Sequence, residues 1–206
     1  ILNGDKKTGA TLFLIDESVD TGPIFAQKEI ELNGNETLID LEMKLGQIAG
    51  NLFNEETERY ANDELKPIPQ NNLEATYTKK ISKSDGLLNP KDSYETWDRK
   101  IRALNPWPST FIKLKIKNKD SDEKLLKIFR IGKINEKELP PKIKAAKGDF
   151  FQWRNELCLR ISDSSIAIKE LQLQDKNSPQ CQEFSAKGEQ PKAEKSSRCP
   201  TCGRRS

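Results

Sequence analysis

Histidine is absent from all 206 residues, and cysteine occurs only four times. A structural zinc ion needs four ligands, so a zinc site here would have to use all four cysteines, namely Cys158, Cys181, Cys199 and Cys202. Cys158 lies in the apolar string ELCLRI and is predicted to be a core thiol, whereas the other three lie in a polar tail. We therefore expect no metal site.

Long apolar runs are also missing. No stretch approaches the roughly 20 apolar residues of a membrane-spanning helix, and no basic segment followed by an apolar one opens the chain. Hydrophobic residues make up 34% of the chain and charged residues 33%, a polar balance that still permits folding. The length allows one large or two small domains. These features predict a cytoplasmic protein without a membrane partner.

The net charge of +3 hides an uneven distribution. Residues 1–65 contain 5 Lys/Arg and 14 Asp/Glu, a balance of −9, which leaves +12 for residues 66–206. A basic C-terminal portion indicates a polyanionic partner, with nucleic acid as the first candidate. A solvated, lysine-rich surface accounts for the same charge equally well, so charge alone does not choose between the two.

The first third of the chain reads as two strands followed by a helix. ATLFLID (10–16) is an almost unbroken apolar run, which favours a strand buried on both faces of a sheet. IFAQKEIEL (24–32) is more amphipathic and suits a second strand nearer an edge. From Asn35 the period becomes helical to about Tyr60, with Asn35 or Thr37 as N-cap. The apolar stripe of this helix consists of Leu38, Leu41, Leu45, Ile48 and Leu52.

The rest of the chain changes character twice. KPIPQNNLEATYTKK (66–80) is rich in proline and asparagine and is predicted to be a linker. A short helix is expected at about 91–104, ended by Asn105-Pro106, and Trp107 is predicted to pack between domains. The helix presents Tyr94, Trp97, Ile101 and Leu104 on one face.

Five β-like strings follow and predict a small closed barrel of the OB type. After Leu173 the composition is typical of disorder. The strings are TFIKLKIK (110–117), KLLKIFRIGKI (124–134), GDFFQWR (148–154), ELCLRIS (156–162) and SIAIKELQL (165–173).

Asp20 is the first candidate for chemistry, in the turn Ser-Val-Asp-Thr-Gly-Pro between the two predicted N-terminal strands. Gly22 permits a tight or left-handed backbone there. A carboxylate after a buried strand of an α/β sheet lies where such folds bind ligands. Asp-Thr-Gly is also a common turn sequence, so a structural role fits the residues as well as a catalytic one.

Three strings taken together narrow this choice. The sequence resembles the methionyl-tRNA formyltransferase family in NGDKKTGATLFLIDESVDTGPIFAQKEIEL, ATYTKKISKSDG and IRALNPWPSTF, in that order, over about residues 1–173. The resemblance implies an α/β plus all-β protein: the C-terminal half of a Rossmann-like formyltransferase domain (1–63), a linker (64–86), an OB-like β-barrel domain (87–175) and a disordered tail (176–206).

The resemblance also implies a reaction, the transfer of a formyl group from 10-formyltetrahydrofolate to the amino group of methionyl initiator tRNA. The family uses an Asn and a His for oxyanion stabilisation and proton transfer, and this chain holds only the matching aspartate, Asp20. We expect the absent pair just upstream of residue 1, and an isolated chain that is inactive. Asp16, Glu17 and Val19 are implied to line the folate pocket.

The tRNA-binding candidates are all basic and lie in the linker and the predicted barrel. On a strand, residues 113, 115 and 117 share one face, which gives a basic row able to follow phosphates. The candidates are Lys79, Lys80, Lys83, Arg102, Lys113, Lys115 and Lys117. Solubility and edge protection by lysine explain the same row without RNA.

Two alternatives stay open at this stage. DTGP differs from the DTGD common in the tRNA enzymes, so a folate-dependent formyltransferase for an amino sugar or a purine precursor is the second enzyme hypothesis. The third is a stand-alone RNA-binding OB module, which predicts aromatic residues exposed on the barrel. We expect a monomer that acts in the cytoplasm of a bacterial-type cell or in an organelle.

Overall fold

A computed structural model describes residues 1–115, 123–174 and 182–183. It begins with an antiparallel hairpin of β1 (Lys7–Phe13) and β2 (Ile24–Glu31). The backbone N–H of Leu14 donates to the carbonyl of Pro23 at 2.9 Å and closes the base of the connecting loop. The predicted pair of strands around Asp20 is therefore confirmed.

The predicted burial of the first strand on both faces is wrong. Residues of β1 are exposed or half-buried, and none is fully buried. The helix α1 (Leu38–Ala61) packs against the hairpin, and no other helix or strand of the described residues covers it extensively. An unbroken apolar run predicts burial only where a second layer exists to provide it.

The helix α1 follows its local sequence signals closely. Thr37 is the N-cap: its hydroxyl accepts from the N–H of Asp40, and the Asp40 carboxylate accepts from the N–H of Thr37 at 2.9 Å, a complete capping box. Leu41 and Leu52 of the predicted stripe are buried. The prediction of this helix, its cap and its buried face is confirmed.

The second helix, α2 (Tyr94–Leu104), is also confirmed. Ser93 caps it by accepting from the N–H of Thr96 at 3.2 Å. Trp97, Ile101 and Leu104 are buried. By contrast, Trp107 is 57% exposed, so its predicted packing between domains is wrong. Neither helix is long and apolar enough to cross a membrane.

The remaining strands form one antiparallel sheet, and five of them lie where the sequence predicts them. They are β3 (Phe111–Lys115), β4 (Glu123–Lys133), β5 (Phe150–Trp153), β6 (Glu156–Arg160), β7 (Ser165–Gln174) and β8 (Gln182–Glu183). The order is β3-β4-β7-β6-β5, with β8 on β7. The two residues of β8 lie in the tail that the sequence predicts to be disordered.

The closed barrel is not confirmed. No pairing joins β3 to β5 within the described parts of the chain, so the sheet runs as an open path between these two ends. Side chains alternate between its faces, and both faces carry a core. Leu159, Ile166 and Ile168 face the main cluster with α2, whereas Cys158 and Ala167 face a smaller cluster with Ile134.

Candidate functional site

Asp20 lies in the exposed loop that joins β1 to β2, which we call the hairpin loop (residues 14–23). Its backbone has φ +57°, the left-handed conformation that aspartate tolerates better than most residues. Asp16 organises the loop from inside, because its carboxylate accepts from the Thr21 hydroxyl at 2.8 Å and from the Ser18 N–H at 3.0 Å. The loop therefore has a defined shape despite its exposure.

Gly22 provides the tight backbone that its sequence context indicates. Its φ angle is not in the left-handed range, whereas that of Asp20 is. Gly22 is buried, and a Cβ atom there would lie 1.6 Å from the carbonyl oxygen of Leu14. Glycine is needed because the two arms of the loop approach each other too closely for any side chain.

Gln70, which the sequence analysis missed, holds the same loop from the linker. Its side-chain Nε2 donates to the carbonyl of Asp20 at 3.0 Å and to the carbonyl of Gly22 at 2.7 Å. Next to it, Ile68 and Ile24 exchange both backbone hydrogen bonds, at 2.7 and 2.8 Å. The start of the linker thus runs beside β2. Neither contact leaves a local signature in the sequence.

The residues implied to line a folate pocket lie together in the hairpin loop. Asp16, Glu17 and Val19 are exposed, and Val19 and the neighbouring Ile15 are 87% and 94% exposed. Two bare apolar side chains beside two carboxylates suit one wall of a pocket for a flat ring with polar edges. The described residues do not enclose such a ligand on their own.

A basic groove of about 480 Å³ runs between the linker and α2. Lys79, Lys80, Arg99 and Lys100 line it, with the apolar side chains of Leu2, Ile81 and Leu104. Arg99 and Lys100 have acidic neighbours at 3.8 Å, Glu95 and Asp92 respectively.

One carboxylate, Asp85, also lines this basic groove. Hydrogen bonds from the backbone and hydroxyl of Ser82 lower the pKa of Asp85, and the positive charges of Lys100 and Lys79 lower it further. Four cationic side chains face this single carboxylate, so the groove has a net positive lining that suits phosphate groups.

The other basic candidates lie apart from one another. Lys83 is exposed at the start of a short 3-10 helix. Lys113 is exposed on β3, whereas its neighbour on the same strand, Ile112, is buried. Lys115 is the last residue of β3, and Lys117 lies outside the described residues. The predicted basic row on one face of β3 therefore stays a prediction.

Arg102 is committed to protein contacts. Its Nε donates to the Asp98 carboxylate at 2.8 Å, and its Nη1 donates to the carbonyl of Glu36 at 2.8 Å, just before α1. Only 16% of its side chain is exposed. Its guanidinium joins α2 to the start of α1, and its assignment as a phosphate ligand stays a prediction.

The described residues contain no group of three or more acidic or cysteine side chains placed to hold a metal ion. Cys158 is fully buried, as predicted, and burial raises the pKa of its thiol, with Glu156 adding to the effect. Cys181, Cys199 and Cys202 lie outside the described residues.

The described residues combine a hairpin loop that carries an exposed carboxylate, an adjacent helix and an antiparallel sheet reached through a basic linker. Residues 1–57 match the formyl transferase family model, and residues 80–188 match the formyl transferase C-terminal domain model. The chain belongs to the formyl transferase family.

The chain is similar to curated proteins named methionyl-tRNA formyltransferase. A methionyl-tRNA formyltransferase of Methylacidiphilum infernorum is 36% identical over 132 residues, which cover 64% of this chain and 40% of the relative. One of Thermodesulfovibrio yellowstonii is 33% identical over 161 residues, covering 78% and 50%. The chain thus spans about half or less of the length of these relatives.

Solved structures support the fold alone. HypX from Aquifex aeolicus in complex with tetrahydrofolic acid superposes with a TM-score of 0.64 at 16% identity, over 90% of this chain and 30% of that one. A Helicobacter canadensis N-formyltransferase with folinic acid and dTDP-3-aminofucose gives a TM-score of 0.54 at 22% identity, over 81% and 57%.

Proposed function

We propose that this chain contributes one catalytic carboxylate and a tRNA-binding groove to the formylation of methionyl initiator tRNA. The observation that carries the proposal is that one linker contacts both sites. Its Gln70 contacts the loop of Asp20, and its Lys79 and Lys80 line the basic groove. The identity to methionyl-tRNA formyltransferases supports this acceptor. In this proposal residues 1–63 are the C-terminal part of the formyltransferase domain, residues 64–86 are the linker and residues 87–175 are the C-terminal domain.

In this reaction the methionyl amine attacks the formyl carbon, and a proton passes from the amine to the departing folate nitrogen. 10-Formyltetrahydrofolate supplies the formyl group. The wall around Asp16, Glu17 and Val19 orients it, and Asp20 holds the charged form of the family's histidine by accepting a hydrogen bond. Since the chain contains no histidine, it is inactive alone. It acts as a monomer in the cytoplasm or in an organelle.

The basic groove binds the acceptor RNA through its phosphates. Lys79 and Lys80 have more freedom to follow a phosphate chain than Arg99 and Lys100, whose acidic neighbours hold them at 3.8 Å. Lys83 and Lys113 extend the contact along the linker and β3. Such contacts weaken with salt, because each neutralised phosphate releases counterions.

The test uses a chimaera in which the upstream half of the Thermodesulfovibrio relative precedes this chain. The chimaera is expected to formylate methionyl-tRNA, and the chain alone is not. Asp20→Asn is the cleanest variant, because asparagine also tolerates the left-handed backbone and only the charge is lost. We expect it to lower kcat about 100-fold or more. An inactive chimaera, or full activity in Asp20→Asn, would overturn the proposal.

The groove is tested in the same chimaera by Lys79→Ala/Lys80→Ala. The KM for tRNA is expected to rise, and the slope of log affinity against log salt to fall by about 1 per lysine removed. Lys142→Ala/Lys147→Ala removes the same charge from exposed positions outside the groove and serves as the control. If both double variants change the KM and the salt dependence equally, the lysines of the groove serve solubility and do not bind RNA.

The acceptor that the chimaera formylates distinguishes the proposal from its two alternatives. Pro23 after Asp-Thr-Gly keeps a small amino-sugar or purine-precursor substrate open, and a chimaera that formylates a dTDP-amino sugar but no tRNA would support this. A stand-alone RNA-binding module would bind tRNA as the isolated chain and give no activity in any chimaera.

A further inference from the structure

Gln70 makes two hydrogen bonds that fix its orientation. Both partners are carbonyl oxygens, those of Asp20 and Gly22, so only the amide NH2 end of the side chain fits between them. The side chain is partly buried, and the two carbonyls flank Thr21. One amide group therefore restrains three consecutive residues of the hairpin loop from a position 50 residues further along the chain.

The hairpin loop needs such a restraint. Asp20 is exposed and holds a left-handed backbone, which costs an ordinary residue about 1 kcal/mol or more. The internal bonds of the loop come from Asp16 and restrain Ser18 and Thr21. The carbonyl of Asp20 itself is held by Gln70, and so the direction of the Asp20 carboxylate depends on a residue outside the loop.

The anchor of Gln70 is a backbone bridge. Ile68 exchanges two hydrogen bonds with Ile24, which fixes the chain two residues before Gln70 against β2. A side chain mounted on a paired backbone loses little entropy when it binds, and it holds its partner to a narrow range of positions.

We propose that Gln70 is a positioning residue that sets the orientation of Asp20 for formyl transfer. This inference rests on the proposed function, because it assigns Gln70 no contact with either substrate. Gln70 acts on the geometry of Asp20, so its loss should reduce kcat and leave the KM for tRNA unchanged.

The structural half of the test uses the chain itself. Gln70→Glu keeps the size of the side chain and removes both donors, so its oxygens face two carbonyl oxygens. We expect the backbone ¹⁵N heteronuclear NOE values of Thr21 and Gly22 to fall. Gln27→Glu is the matched control: Gln27 donates to the Thr11 hydroxyl at 2.9 Å across β1 and β2, and glutamate can accept from that hydroxyl instead. Unchanged NOE values in Gln70→Glu would overturn the inference.

The kinetic half uses the chimaera. Gln70→Glu is expected to lower kcat about 10- to 100-fold, the loss typical of a misplaced reacting group, whereas Gln27→Glu is expected to have no effect. In an Asp20→Asn background, Gln70→Glu should cause no further loss, because the two residues act as one unit.

The outcomes separate the inference from the function on which it rests. Additive losses in the double variant would mean that Gln70 only supports the fold, which overturns its positioning role. Full activity in Asp20→Asn would overturn the role of Asp20 and the catalytic part of this inference with it. Loss of loop order without any change in kcat would overturn the inference alone.

Discussion

Replacement of Gly22 by alanine should distort the hairpin loop at its narrowest point. The new Cβ atom would lie 1.6 Å from the carbonyl oxygen of Leu14. An ordinary carbon–oxygen contact is about 3.3 Å or longer. The two arms of the loop would have to separate by about 1.7 Å. The backbone fixes the position of the Cβ atom, and its clash partner is a main-chain oxygen, so no side-chain rotation relieves the contact.

The expected cost follows from what this separation breaks. The N–H of Leu14 donates to the carbonyl of Pro23 at 2.9 Å, and movement of the Leu14 peptide would lose this bond. A lost hydrogen bond costs about 1 kcal/mol net, and overpacking at a tight site costs about 1–3 kcal/mol. We therefore expect the free energy of unfolding to fall by about 2–4 kcal/mol, at the upper end of single substitutions.

Urea unfolding followed by far-ultraviolet circular dichroism measures this loss. With a slope of about 2 kcal/mol per molar urea, the midpoint should fall by about 1–2 M. Gly46→Ala is the matched control, since no atom lies within 4 Å of its added methyl group in α1. That variant should gain about 0.5–1 kcal/mol because alanine favours the helix. A Gly22→Ala protein as stable as the wild type would refute the reasoning.

Two further predictions concern the antiparallel sheet. Trp97→Phe removes the bond from the indole Nε1 to the carbonyl of Asn89 at 2.8 Å and leaves space around a fully buried side chain, so urea unfolding should show a loss of about 2–3 kcal/mol; a loss below about 1 kcal/mol would contradict this packing. Partial burial acts to raise the pKa of Glu136, but hydrogen bonds from Arg160 and Ser165 outweigh it and hold the pKa below its usual 4.5. The stability that this carboxylate adds over Glu136→Gln is therefore fully present above pH 4.5 and lost as the pH falls through the lowered folded value. The unfolding free energies of the wild type and of Glu136→Gln, measured from neutral pH to about 3, should therefore converge as the pH falls. A difference that stays constant with pH would contradict the lowered pKa of Glu136.

The helices could be predicted because their signals are local. Thr37 and Asp40 form a capping box within four residues, and Trp97 and Ile101 repeat at the spacing of one helical face. Five of the six described strands of the sheet, β3 to β7, follow from alternation between short turns. In each case the physical cause, a cap bond or a buried face, acts between residues close in sequence.

Features that depend on distant partners could not be predicted. The burial of β1 depends on whether helices or strands cover both of its faces, and the sequence of the strand alone does not predict this. The contact of Arg102 with the carbonyl of Glu36 spans 66 residues. Gln70 lies in a segment without apolar periodicity, and its contact with Asp20 spans 50 residues. The left-handed backbone lies at Asp20, whereas Gly22 provides the close approach of the two arms of the loop.

The bridge between Ile68 and Ile24 changes which part of the linker can vary in length. The chain is held at Ile68 and Gln70, and again at Leu88, whose N–H donates to the carbonyl of Phe111 on β3 at 2.8 Å. Extra residues between 72 and 80 would lengthen a loop at small entropic cost, since each doubling of loop length adds only about 0.6 kcal/mol. A single residue inserted between 68 and 70 would instead shift the amide of Gln70 by about 3.3 Å and separate it from the loop that it holds. Residues 72–80 should therefore tolerate insertions and residues 68–70 should not, although both belong to one segment of similar composition.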